Sequence, residues 1–168
     1  DYQINGTVKK AKFNIFNQVE IDNLNLSFNI SNNQLTLSKI ETDLNSIKLK
    51  SPLIKIEEKK NIFFINGKVI NDQQNFDINK LKPILGDLLS TIEIEKINFK
   101  SINTFSFNLN KNLRLNDLKL ETNINLENFE IVKNPLNLKA FLPNYTEQVK
   151  FEDHKIKIKL TKDILDIK

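Results

Sequence analysis

The sequence predicts a mainly β protein: a curved antiparallel β-sheet that forms a groove or half-pipe, with one short helix near residues 78–89. Three observations predict this fold class. Apolar and polar residues alternate with a period of two over long runs, a bulge-like apolar pattern recurs, and only one segment has helical spacing. A chain of 168 residues without a recognisable linker is expected to form a single domain over residues 1–168.

The alternation is clear in residues 24–30, 105–109 and 156–160, where Leu, Ile and Phe alternate with Asn, Ser or Lys. A period of two with β-branched and aromatic residues indicates strands with one apolar and one polar face. We therefore expect strands over residues 2–16, 18–30, 33–41, 45–57, 61–70, 91–100, 102–110, 113–122, 123–132, 149–160 and 163–168.

An eight-residue pattern recurs beneath the alternation: apolar, x, apolar, x, x, apolar, x, apolar. It occurs at residues 19–26, 92–99, 113–120 and 124–131, and it begins again at residue 35. Helical spacing scatters these apolar positions around the axis, whereas a β-bulge at the central polar pair returns both apolar pairs to one face. Two short strands joined by a corner give the same pattern, and in either case the sheet curves.

One segment has helical spacing. Apolar residues between Asp77 and Ser90 fall three or four positions apart, and Asp77 or Asn79 is suited to cap the helix. Pro83 is tolerated only near a helix N-terminus, so the regular part is expected from about Pro83 onward. Residues 135–147 contain two prolines and are expected to form a long connection that packs against the sheet.

The composition disfavours several classes of protein. Cysteine is absent, which excludes disulfides and thiolate-bound metals. The 25 basic residues are interleaved with 21 acidic ones and include only Arg114 as arginine, so no nucleic-acid-binding stripe is expected. No apolar run approaches the roughly 20 residues that span a membrane. Because the chain starts at Asp1 and contains no Met, we expect it to be a fragment of a longer chain.

No set of catalytic groups is apparent. His154 is the only histidine, and it is expected in a solvated, charged turn where no partner is placed to make it a base or a metal ligand. The nearest approach to a Ser-x-x-Lys motif is Ser51 and Lys55, whose spacing is wrong. We therefore predict a protein that is not an enzyme, with no catalytic residue, no cofactor and no metal.

The order of features resembles the AsmA-like family of bacterial envelope proteins, which includes AsmA, TamB and YhdP-type lipid-transfer chains. The segments 1–8 and 64–69 share an "apolar-x-Gly-x-apolar" strand opening, and residues 19–26 resemble the bulged strand repeat of that family. Residues 77–86 resemble its short helix with the pattern "apolar-x-x-Leu-x-Pro", followed here by Ile-Leu. The scarcity of glycine and the abundance of Asn and Lys depart from the family pattern.

The resemblance implies a segment of a periplasmic envelope protein, anchored to the inner membrane in its full-length form. Such a segment lines a hydrophobic groove that conducts phospholipid between inner and outer membranes, and so serves outer-membrane biogenesis. Its partners are phospholipid acyl chains, and the membrane through parts of the parent chain outside this fragment. Together with the alternating faces, the resemblance predicts that the groove is lined by Leu24, Leu26, Phe28, Ile97, Phe99, Phe105, Phe107, Leu118, Leu120 and Phe129.

The alternative is a structural or adhesive β-sandwich domain of an exported surface protein. In that case the same apolar face is sealed against a second sheet, and Phe28 and Phe107 are deeply buried. The sequence leaves the open and the sealed face equally possible. The exposure of these two side chains distinguishes them, because a long open apolar face requires a ligand or a partner.

Overall fold

A computed structural model describes residues 2–15, 19–45, 47–72, 93–133, 149–161 and 164–167. These residues form one open antiparallel sheet in which every strand pairs with its neighbours in sequence. The strands are β1 (Gln3–Ile15), β2 (Val19–Ser31), β3 (Gln34–Leu44), β4 (Ile47–Lys59), β5 (Ile62–Asn71), β6 (Glu93–Asn110), β7 (Leu115–Lys133), β8 (Val149–Thr161) and β9 (Ile164–Ile167). The predicted mainly β fold, a curved antiparallel sheet, is confirmed.

The helix predicted near residues 78–89 and the connection predicted over 135–147 lie outside the described residues. Within the described ranges all regular structure is strand.

Two predicted strand breaks are wrong. The strands expected over 91–100 and 102–110 are the single strand β6, and those expected over 113–122 and 123–132 are the single strand β7. Ser101 and Thr122 interrupt the apolar alternation at these points, and both are buried. A polar side chain at an inward position breaks the sequence pattern without breaking the backbone ladder, so each pair of predicted strands merges into one.

The β-bulges expected from the eight-residue pattern are present. Asn23, Lys39 and Asp117 each occupy the second position of a central polar pair, and their φ angles of 52°, 51° and 52° lie in the left-handed region. At the other two pairs, 95–96 and 127–128, the register between β6 and β7 shifts instead. An extra residue bends the strand and increases its twist, so these five sites supply the curvature that the pattern predicts.

The bulges keep the apolar residues on one face. In β2, Ile21 is opposite Leu44 and Leu24 is opposite Ala11, although regular alternation would place positions 21 and 24 on opposite faces. In β7, Leu115 is opposite Leu109 and Leu120 is opposite Phe105. Without the extra residue at each polar pair, one half of each strand would turn its apolar side chains to the other face.

Asparagine takes over the role that glycine plays in most sheets. Four of the ten non-glycine residues described with positive φ are Asn, and Lys60 and Asn61 have φ values of 51° and 64° at the β4–β5 turn. Two consecutive residues with positive φ are characteristic of the type I′ hairpin, where Asn is well tolerated. The abundance of Asn therefore has a structural use in a chain with three glycines.

The bulge at Lys39 provides a stability test. Because β-branched residues are strongly disfavoured at positive φ, Lys39→Val is expected to lower the free energy of unfolding by about 1–2 kcal/mol. The matched control is Lys55→Val, at an exposed position of regular β4, where the change is expected to stay within about 0.5 kcal/mol. Urea unfolding followed by circular dichroism measures both, and equal effects would contradict the bulge assignment.

Candidate functional site

The register places one continuous apolar row across all nine strands. Cross-strand partners share a face of the sheet, and successive partners here join Gly6, Phe28, Leu37, Ile54, Gly67, Phe105, Leu120, Leu160 and Leu165. We call the face that carries this row the apolar face, and the opposite one the polar face. Eight strand spacings of about 4.8 Å make the row roughly 38 Å long, perpendicular to the strands.

All ten residues predicted to line a groove lie on the apolar face. Leu24, Leu26 and Phe28 lie on β2, and the other seven lie on β6 and β7, where Ile97 is opposite Phe129 and Phe99 is opposite Leu126. Four strand spacings, roughly 19 Å, separate the two groups. The structure therefore places them on one surface without bringing them into one cluster.

The residues that join the two groups were not among those predicted. Leu37 on β3, Ile54 on β4 and Ile65 on β5 continue the apolar face between β2 and β6. Their own strands alternate as regularly as the others, so the signal was present in the sequence. Whether the apolar residues of one strand share a face with those of the next depends on the register between the strands. Sequence periodicity alone does not give that register.

The apolar face is only partly buried. Among the described residues just three apolar side chains are buried, namely Ile40, Ile47 and Leu126, at 8%, 6% and 8% exposure. All ten predicted lining residues, Phe28 and Phe107 included, are half-buried. The described strands make one layer, so within that part of the chain no second sheet seals this face.

Aromatic rings are concentrated at the β6–β8 end of the apolar face. The ring centroids of Phe105 and Phe107 are 6.0 Å apart and nearly parallel, and those of Phe129 and Phe151 are 5.8 Å apart. Contacts at this distance stabilise the arrangement of half-exposed rings in an open sheet. The result is a hydrocarbon-like surface around these rings.

The expected position of His154 is wrong. It lies inside β8 opposite Leu126, on the apolar face, with its ring 5.7 Å from that of Phe151. The charged run around it resembled a turn because Asp153 adopts a positive φ of 53°, which marks a bulge rather than a chain reversal. The imidazole is nonetheless exposed, as expected.

Both glycines of the "apolar-x-Gly-x-apolar" segments lie beneath a phenylalanine ring. Gly6 is opposite Phe28 and Gly67 is opposite Phe105, on the apolar face. A Cβ atom at Gly67 would lie 2.8 Å from Cζ of Phe105, and one at Gly6 would overlap the ring of Phe28. The cross-strand ring thus covers the gap that the missing side chain leaves, a device known as aromatic rescue.

The polar face carries ion pairs whose side chains are partly exposed. Lys157 lies 2.8 Å from Glu121 and Lys100 lies 2.7 Å from Glu127. The hydrogen bond from Lys157 holds the pKa of Glu121 below its usual range. Pairs this exposed add little to stability, so they make the face soluble rather than holding the sheet together.

Three shallow depressions cross the described strands, with volumes of about 660, 430 and 330 Å³. The largest runs from β4 to β8, and most of its lining residues belong to the polar face, among them Lys68, Thr104, Lys119 and Glu121. These depressions are open furrows between rows of polar-face side chains. They do not form a cleft in which catalytic groups converge.

Within the described ranges, no three His, Asp or Glu side chains gather in a way that suits a metal ion. No helix among the described residues is long and apolar enough to cross a membrane.

The chain matches no family model, no curated protein and no solved structure in the corresponding comparisons. The geometry of the apolar face is therefore the basis on which a function is assigned.

Proposed function

We propose that this chain is a segment of an AsmA-like envelope protein whose apolar face binds phospholipid acyl chains and conducts them between inner and outer membranes. The observation that carries the proposal is the row of apolar residues that crosses all nine strands on a face that is only partly buried. A single protein layer with one extensive apolar face is unstable in water unless something covers that face. A lipid acyl chain has the right chemistry to do so.

The mechanism is physical. Each CH₂ group moved from water onto an apolar surface gains about 0.8 kcal/mol, so a hydrocarbon-like wall removes much of the cost of taking a lipid out of a bilayer. Since the row runs perpendicular to the strands and consists of apolar residues and glycine from Gly6 on β1 to Leu165 on β9, acyl chains are able to slide along it. The head group stays in water at the open side.

The wall needs few specific polar contacts, which fits a sequence without a catalytic motif. The bulges contribute by keeping the apolar side chains on one face as the strands bend. Lys, Asp and Glu on the polar face keep the outside of the sheet soluble. The envelope location and the inner-membrane anchor come from the family resemblance and belong to this proposal.

A closed structural or adhesive sandwich is the second candidate. It requires deep burial of Phe28 and Phe107, and both are half-buried. This exposure favours the groove.

Site-specific crosslinking tests the proposal. With a photoreactive phenylalanine analogue at position 28 or 107, on the apolar face, we expect crosslinks to phospholipid in cells that make the full-length protein. The same analogue at Phe64, on the polar face beneath the ammonium group of Lys59, serves as the matched control and is expected to give little lipid product. Crosslinks to protein alone from positions 28 and 107 would contradict the proposal.

A further inference from the structure

A band of polar side chains lies on the apolar face between β4 and β7. It consists of Ser51 on β4, Asn71 on β5, Ser101 and Asn103 on β6, and Thr122 on β7. Asn71 is opposite Ser101 and Asn103 is opposite Thr122, and apolar residues lie on both sides of them along β6, Phe99 on one and Phe105 on the other. We call this set the polar band.

Four members of the polar band are among the most buried side chains described. Ser51 is 4% exposed, Asn71 3%, Ser101 7% and Thr122 9%. Polar residues at inward positions of a sheet require hydrogen-bond partners, because water no longer reaches them. Their presence in the middle of an otherwise apolar face calls for a reason beyond packing.

The hydrogen bonds of the band leave one fully buried hydroxyl, that of Ser51, without a partner among the described residues. The side-chain amide of Asn71 donates to the carbonyl of Phe99 at 3.2 Å. That of Asn103 donates to the carbonyl of Val69 at 3.3 Å and to Oγ of Ser101 at 3.1 Å. The Oγ atom of Ser51 is buried and makes no hydrogen bond within the described part of the chain. This hydroxyl is therefore a hydrogen-bond donor on the apolar face that is still available to a ligand.

The chemistry of the band selects its ligand. All five side chains are neutral, and the lysines near them in sequence, Lys50, Lys68 and Lys100, point to the polar face by their register. A phosphate group there would lose its water without gaining a cation. A neutral acceptor flanked by hydrocarbon satisfies both the hydroxyl donor and the apolar rows on either side.

From this arrangement we infer that the polar band binds the ester carbonyl of an acyl glycerolipid whose chains lie on the adjoining apolar rows. The inference rests on the proposed function and adds the part of the lipid that is recognised. The band is thus a binding site on the apolar face at which the ester group of a lipid is held more strongly than the methylene groups of its acyl chains.

A comparison of ester-linked and ether-linked lipids tests this. The purified protein is incubated with vesicles of dioleoyl phosphatidylcholine or of its dialkyl ether analogue, which lacks both carbonyls, and the lipid extracted is counted by native mass spectrometry. For the wild type we expect about fivefold more of the ester lipid, the ratio typical of one hydrogen bond. Ser51→Ala is expected to bring the ratio close to one.

Ser106→Ala is the control, since Ser106 lies on the polar face of β6 opposite Lys119. It is expected to keep the wild-type preference. Ser51→Ala removes a hydroxyl that has no partner among the described residues, so the lipid-free variant is expected to unfold at the wild-type temperature or above it, which separates loss of recognition from loss of fold.

The outcomes are distinguishable. Equal extraction of both lipids by the wild type, with Ser51→Ala unchanged, would overturn the role of the polar band and leave the groove intact. Extraction of neither lipid would overturn the proposed function and the inference together.

Discussion

Replacing Phe107 by aspartate is expected to reduce the extraction of phospholipid from vesicles about tenfold or more. The side chain lies on the apolar face, half-buried, with its ring 6.0 Å from that of Phe105. A carboxylate there keeps its water shell, and an acyl chain passing over it would have to remove that water. A tenfold loss corresponds to only about 1.4 kcal/mol, well below the cost of desolvating a charge.

The matched control is Ser106→Asp, one residue away. Its side chain lies on the polar face opposite Lys119, so the variant has the same net charge as Phe107→Asp but leaves the apolar face unchanged. We expect its lipid extraction to stay within about twofold of the wild type. Phe107→Leu, which keeps an apolar surface, is expected to retain most of the activity.

Circular dichroism of each variant shows whether the sheet still forms. If Phe107→Asp folds and extracts lipid as well as the wild type does, the apolar face is not the path of the acyl chains. A wild-type protein that folds but extracts no lipid would instead favour the closed sandwich.

Much of this fold is predictable from sequence because local rules determine it. Alternation identified every described strand region, and the polar pairs located five of the bulges, since only an extra residue reconciles their spacing with one apolar face. The bulge at Lys10 in β1 was not predicted. The breaks expected at residue 101 and between 122 and 123 were wrong because the period-two rule detects the polarity of side chains and not the path of the backbone. Ser101 and Thr122 are polar residues at inward positions, and periodicity registers polarity rather than backbone geometry.

The candidate site was predicted in part. Each of its predicted residues lies on the apolar face, because membership of a face follows from period two within a strand. The continuity through Leu37 and Ile54 was not predicted, because the register between strands depends on turns and bulges that sequence spacing does not resolve. The position of His154 in a strand was not predicted because turns and bulges favour the same residue types. Asp153, with its positive φ, is suited to either.

The polar band was invisible to sequence reasoning for a related reason. Ser51, Asn71, Ser101 and Thr122 are ordinary polar residues in a chain that contains many, and they are 20 or more residues apart from one strand to the next. Only the antiparallel register brings them together. A cluster of single polar residues from different strands is therefore recognised only when the cross-strand partners are known.

The largest effect on stability is expected at Gly67. Gly67→Val is predicted to lower the free energy of unfolding by about 2 kcal/mol, because the new Cβ atom would lie 2.8 Å from Cζ of Phe105 and 2.9 Å from Cγ1 of Ile54. The carbonyl oxygen of Leu53, at 3.2 Å, closes the third side, so the valine side chain fits only if the Phe105 ring or the Ile54 side chain is displaced. Lys68→Val, the next residue on the polar face, is the matched control and is expected to be close to neutral.

A double-mutant cycle shows whether the ring is the obstacle. Phe105→Ala removes the ring and costs stability alone, but it also vacates the space that the valine side chain introduced by Gly67→Val needs. We therefore expect the double variant to be more stable than the sum of the single effects predicts, by about 1 kcal/mol, the size of coupling found for residues in contact. Strictly additive losses in urea unfolding would contradict the aromatic cover over Gly67. Since Phe105 belongs to the apolar row, a ring displaced by Gly67→Val also projects into the path proposed for acyl chains, so the same variant is expected to extract less phospholipid while Lys68→Val extracts a normal amount.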